Sequence, residues 1–168
     1  MADPLTEAQQ DVQKYRDLLQ SDPQSPDRNN WRNALASALC DRLAPTLKPL
    51  RPDEAAAAAR EGIAITRELL AEGAFPQSRQ GFARRIAAAA EYLPTAEAVT
   101  ATEASTAIYR ELAEARPDDM EQIAWLAWVL AGKRATPTRW RSGPSTRTAR
   151  CGGAGGTPAG TTGTGSRA

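Results

Sequence analysis

Acid–base chemistry in this sequence would fall to its carboxylates, which pair at Asp53/Glu54, Glu111/Glu114 and Asp118/Asp119. A catalytic acid needs a buried, shifted carboxyl, whereas these pairs sit at expected helix starts or on an expected exposed face. There the helix macrodipole and solvent account for them. Histidine is absent, which removes Ser-His-Asp and Cys-His catalysis, His-ligated metal sites and imidazole switching together. The two cysteines, Cys40 and Cys151, are too few for a disulfide framework or a thiolate zinc site. Cys40, inside the run Ala38-Leu39-Cys40, reads as a buried structural thiol. The glycine-rich run 152–156 has no strand before it and no helix after it, so it lacks the frame of a phosphate loop. No enzyme is expected, and no cofactor or metal.

Recognition chemistry is better represented. Arg84-Arg85 is a basic pair on an expected helix, either a solvated face or a grip for a partner. Trp31, Trp125 and Trp128 fall at helical spacing, where large aromatics serve as core or as interface anchors. Trp125, Trp128, Arg84 and Arg85 are therefore the candidate partner-binding residues. Arg110 and Glu114, four apart, form an ordinary helix-surface pair.

The elements that must carry these residues read as helices. The chain has 168 residues, a one-domain length. Its hydrophobic fraction is 41% but its aromatic fraction only 5%, and alanine makes up much of the apolar count. Small apolar residues suit closely packed helices and argue against a β-sandwich. Proline and glycine divide residues 1–132 into six segments of helical period, and nothing reads as a strand.

The first segment starts at Asp3-Pro4 and carries Ala8, Val12, Tyr15 and Leu19. The second opens at Ser25-Pro26, follows Trp31, Leu35, Leu39 and Leu43, and is expected to break at Pro45 and Pro49. Asp53 is expected to cap a third, which holds Ala55 to Ala59, Ile63, Thr66, Leu69 and Leu70 and stops at Gly73 in a left-handed conformation. The fourth covers roughly 77–93 with Phe82, Ile86, Ala89, Ala90 and Leu93. Thr95 is expected to cap a fifth, which runs to Arg116 with Ala101, Ala104, Ile108 and Leu112 on one face. The sixth opens at Asp118-Asp119-Met120-Glu121 and holds Ile123, Leu126, Val129 and Leu130 before Gly132.

Charge divides the chain at the same place. Residues 1–132 hold fourteen Lys/Arg against twenty Asp/Glu, a net of −6, and residues 133–168 hold seven Lys/Arg and no acid, a net of +7. The acidic part has no reason to seek nucleic acid. Residues 133–168 lack large aliphatic side chains and are expected to be a disordered, basic Gly/Thr/Arg-rich tail. No apolar run is long enough to cross a bilayer and the first residues do not form a secretory signal, so a cytoplasmic location without membrane contact is expected.

A bundle and a solenoid both fit six helices, and internal repetition decides between them. Tyr15-Arg16-Asp17-Leu18-Leu19, Thr66-Arg67-Glu68-Leu69-Leu70 and Tyr109-Arg110-Glu111-Leu112-Ala113 are one motif, with starts 51 and 43 residues apart. Tyr15 precedes Pro23 by eight residues, and Tyr109 precedes Pro117 by eight. A two-helix unit recurring at such spacing marks a solenoid.

These residues resemble the tetratricopeptide repeat, in the long-period form of high-G+C bacteria that is similar to kinesin light chain repeats. The motif positions of that family fall on Tyr15, Leu18 and Pro23, on Thr66 and Leu69, and on Tyr109, Leu112 and Pro117. The middle copy departs, with its proline displaced to Pro76. The resemblance covers residues 1–132 and implies an all-α fold. That fold is a right-handed α-solenoid of about three antiparallel helix pairs, truncated or degenerate, beginning and ending mid-repeat. It also implies a scaffold that binds a peptide or helix of another protein in its groove, a sensor arm of a larger signalling assembly. The alternative is a regulator that contacts nucleic acid through its basic tail. The sixth helix, apolar around much of its circumference, leaves self-association open.

Two origins for the tail also stand open. If the codons of 134–144 are assumed to be rich in G and C, a shifted frame there gives something like an acidic, alanine-rich helix start. The tail is either a shifted reading frame or a genuine Gly/Thr linker.

Overall fold

The computed structural model describes residues 3–120, 123–125 and 127. Among them every regular element is helical, and there is no strand. The helices are α1 (Pro4–Ser21), α2 (Arg28–Ser37), α3 (Ala44–Leu47), α4 (Pro52–Ala71), α5 (Arg79–Ala89) and α6 (Thr95–Ala115). A π-helical segment, Ala38–Leu43, joins α2 to α3 without a break, and short 3₁₀ turns flank α5 at Pro76–Ser78 and Ala90–Tyr92. Helical backbone resumes at Met120 and at 123–125.

Local chemistry sets most helix ends. Pro4 and Pro52 occupy first-turn positions, where a missing N–H costs nothing. The end of α4 is a Schellman motif. Gly73 takes φ +64°, its N–H reaches Leu70 O at 3.1 Å, and the Ala74 N–H reaches Leu69 O at 3.1 Å. Two expected caps are displaced by one or two residues. Arg51 precedes α4 and places Asp53 inside its first turn, and Pro94 precedes α6 with Thr95 its first residue. Both carboxylates of Asp53/Glu54 still face the positive end of the helix dipole.

The expected break at Pro45 does not occur. Proline has no N–H to give and crowds the preceding turn. The chain absorbs this by widening beforehand, so that the Ala44 N–H reaches back five residues to Leu39 O. The Thr46 hydroxyl then donates to Arg42 O at 2.7 Å. The helix continues to Leu47 and turns only across 48–50.

The helices of the pairs α2–α4 and α5–α6 pack as antiparallel neighbours. Arg32, near the start of α2, meets Glu68 and Glu72 near the end of α4, and Arg79, the first residue of α5, meets Glu111 near the end of α6. Ion pairs also tie alternate helices. Arg16–Glu61 joins α1 to α4, Arg60–Glu97 joins α4 to α6, and Arg85 of α5 reaches Asn33 and Asp41 on the α2 side. The main core runs between these rows through Val12, Leu35, Leu39, Cys40, Ala59, Ile63, Ile86, Ala89 and Ala101, with Tyr15 and Leu19 packed against it. A smaller cluster at the far side holds Ala83 and Tyr109 with Ile108, Leu112 and Trp125.

The α2–α4 and α5–α6 hairpins repeat one another in register. Arg79 lies 47 residues after Arg32, and Ala83 lies 47 after Ala36; Glu111 lies 43 after Glu68, and Ser105 lies 43 after Gly62. The cation of the first helix meets the Glu of the second in both units. The residue at 62 or 105 abuts the same carbonyl. A Cβ on Gly62 would stand 3.2 Å from Ala36 O, and Ser105 Oγ donates to Ala83 O at 2.8 Å.

Candidate functional site

Among the candidate residues, Arg84 is exposed and Arg85, its neighbour, is not. One hundred degrees of helical rotation separates them. Arg85 has a side chain only 14% exposed, donates to Asn33 Oδ1 at 3.0 Å, lies 3.5 Å from Asp41 Oδ2 and covers the Phe82 ring at 5.6 Å. Its Nε is near the Asp41 oxygen without hydrogen-bond geometry, an ion pair rather than a directed bond. Arg84 and Arg85 thus do not form one basic patch.

Trp125 is half-buried and stacks on Tyr109, with ring centroids 6.3 Å apart and planes inclined by 5°. Ile123 and Met120 beside it are exposed. Trp128, like the tail 133–168 and most of the expected sixth helix, lies outside the described residues. Trp31 is half-buried on α2.

The motif residues lie at differing depths. Tyr109 and Thr66 are fully buried and Tyr15 is half-buried against the core; Leu69 is fully buried and Leu18 and Leu112 half-buried; Pro23 and Pro117 are exposed in the turns. Tyr109 Oη also donates to Gln80 O at 3.5 Å, so the aromatic closes the α5–α6 hairpin at both ends of its side chain.

The face that gathers polar groups from two helices is the α2–α5 side. Asn33, Ser37 and Asp41 follow one another at four-residue spacing, and the Ser37 hydroxyl donates to Asp41 Oδ2 at 2.8 Å. Arg85 faces this row from α5, with Arg84 exposed next to it. The row can donate and accept hydrogen bonds with a polar backbone and carries both signs of charge. The signal was present in sequence as a polar period of four opposite the Leu35/Leu39 row, and the candidate residues chosen from composition missed it.

The paired carboxylates do not converge. Asp53 and Glu54 are exposed in the first turn of α4, Glu111 pairs with Arg79, and Glu114 and Asp118 are exposed. Among the described residues no three His, Cys, Asp or Glu side chains are placed to hold a metal ion. Cys40 is buried, and burial pushes its thiol up to about 12. No described helix is long and apolar enough to cross a membrane. Comparison with family models, with curated proteins and with solved structures finds no match to this chain.

Proposed function

We propose that the chain is a protein-interaction scaffold of the tetratricopeptide kind, holding a peptide or helix of a partner along the α2–α5 face. The supporting observation is the in-register recurrence of one hairpin. Arg32/Arg79 and Ala36/Ala83 repeat at 47 residues, and Gly62/Ser105 and Glu68/Glu111 repeat at 43. A unit that stacks on its own copy builds an extended face from its equivalent helices, which suits an elongated ligand. Here that face presents Asn33, Ser37 and Asp41 with Arg85 across from them, and Arg84 is exposed on the same helix.

Photo-crosslinking tests this reading. A crosslinker at Ser37 or Arg84 is expected to capture one discrete protein, whereas the same group at Ala64, exposed on α4, captures none. The captured species should be displaced when Ser37→Trp fills the face. Equal capture from both positions overturns the placement. Salt-sensitive retention of the full chain on heparin, without peptide or protein capture, would instead support nucleic-acid contact by the basic residues of 133–168.

A further inference from the structure

The two equivalent hairpins are closed by different chemistry. In α5–α6 the fully buried Tyr109 packs on Ala83 and stacks on Trp125, and the cation Arg79 is 43% exposed. In α2–α4 the position of Tyr109 is taken by Thr66, whose hydroxyl returns to Gly62 O at 2.8 Å. The side chain of the equivalent cation, Arg32, is only 8% exposed. Its Nη1 donates to both Glu72 oxygens at 2.8 and 2.7 Å and to Asn29 Oδ1 at 3.2 Å, and its Nη2 donates to Glu68 Oε2 at 2.6 Å. A small hydroxyl thus stands where the sister unit has a ring, and a buried guanidinium supplies the cross-helix tie. Without the counter-charge of the two carboxylates that guanidinium would stay buried among neutral acceptors, a larger penalty than losing an exposed pair.

We infer that the α2–α4 contact is an acid-released latch, opening ahead of the α5–α6 contact when the counter-charge on buried Arg32 is removed. The charges acting on it are Glu68 and Glu72 of α4 and Arg28 of α2. The hydrogen bond from Arg32 holds the Glu72 carboxyl below the usual carboxylate range. A depressed carboxyl contributes stability that is complete above its ordinary pKa and is lost as pH falls through the depressed value. The pairs on neighbouring elements, Arg16–Glu61, Arg42–Asp11 and Arg60–Glu97, have both partners at least a third exposed and contribute little. Arg85 is more enclosed, but it joins α5 to α2 rather than to α6.

Hydrogen–deuterium exchange on the full chain, corrected for intrinsic rates, tests the latch. Between pH 7 and pH 3, protection in 28–37 and 62–71 is expected to fall at least about tenfold more than in 83–89 and 101–111. Arg32→Met should abolish this difference, and Glu68→Ala/Glu72→Ala should reproduce the open pattern at pH 7. A uniform fall, earlier opening of α5–α6, or a selective fall that persists in Arg32→Met overturns the inference. Should Arg32→Met fail to fold, the double-alanine variant decides. Wild-type protection of 28–37 in that variant at pH 7 overturns the latch as well.

Discussion

Gly62 and Cys40 touch so closely that a Cβ on Gly62 would collide with the Cys40 sulfur. The glycine sits in the middle of α4, where it costs about 1 kcal/mol relative to alanine. Packing outweighs that cost, because the missing methyl lets α4 approach the widened turn Ala38–Leu43 and seat the thiol.

Gly62→Ala is therefore expected to lower stability by about 1–3 kcal/mol despite its better helix propensity. Cys40→Ala should recover part of that loss, since the sulfur is the nearest obstacle. A double-mutant cycle from urea melts reads the coupling. Additive effects would show that the two residues are not in contact.

The Cys40 thiol, pushed up to about 12 by burial, should be inert in the folded chain. Labelling with a thiol reagent at pH 8, followed by mass spectrometry of the Cys40 peptide, is expected to run on the order of 100-fold slower without urea than with it. Comparable rates would place Cys40 at the surface.

Leu112 is half-buried against the Ala83–Tyr109 cluster, whereas Glu114, two residues on, is exposed. Leu112→Asp is expected to cost about 3 kcal/mol, and Glu114→Ala less than about 0.5 kcal/mol. Thermal melts that rank them in the opposite order would reverse the facing of α6.

Glu97 accepts two hydrogen bonds from Arg60, at 2.6 and 2.9 Å, and the bond from Arg60 holds its carboxyl below the usual range. Carbon-detected titration should find its midpoint below the ordinary value of about 4.3, and Arg60→Gln should return it there. The associated stability is present at neutral pH and is lost as pH falls through the lowered value. Because the pair is exposed, added salt should weaken the shift.

Residues whose roles depend on a few neighbours in the chain were readable without the fold. Pro4 and Pro52 open helices because a first-turn residue needs no N–H. Gly73 closes α4 because it takes φ +64° at no steric cost. Thr66 and Leu69, which share the helical row of Ile63, are buried.

Which polar residues would be enclosed depended on the helix that came to lie opposite. Arg32 lies on the apolar side of α2 with Leu35 and Leu39, but only Glu68 and Glu72 of α4 make its burial tolerable. Ser105 is buried because Ala83 O stands across from it, and Arg85 turns inward because Asn33 and Asp41 meet it. Pro45 reads locally as a helix stop, yet burial of Ala44 and Leu47 favours continuing the helix, and the widened turn before it makes that continuation sterically possible. Sequence periodicity determines which side of each helix is apolar and where local chemistry ends it. Tertiary packing decides which carbonyls, carboxylates and methyl-sized gaps face one another, because those pairings join residues 22 to 52 positions apart that no local rule connects.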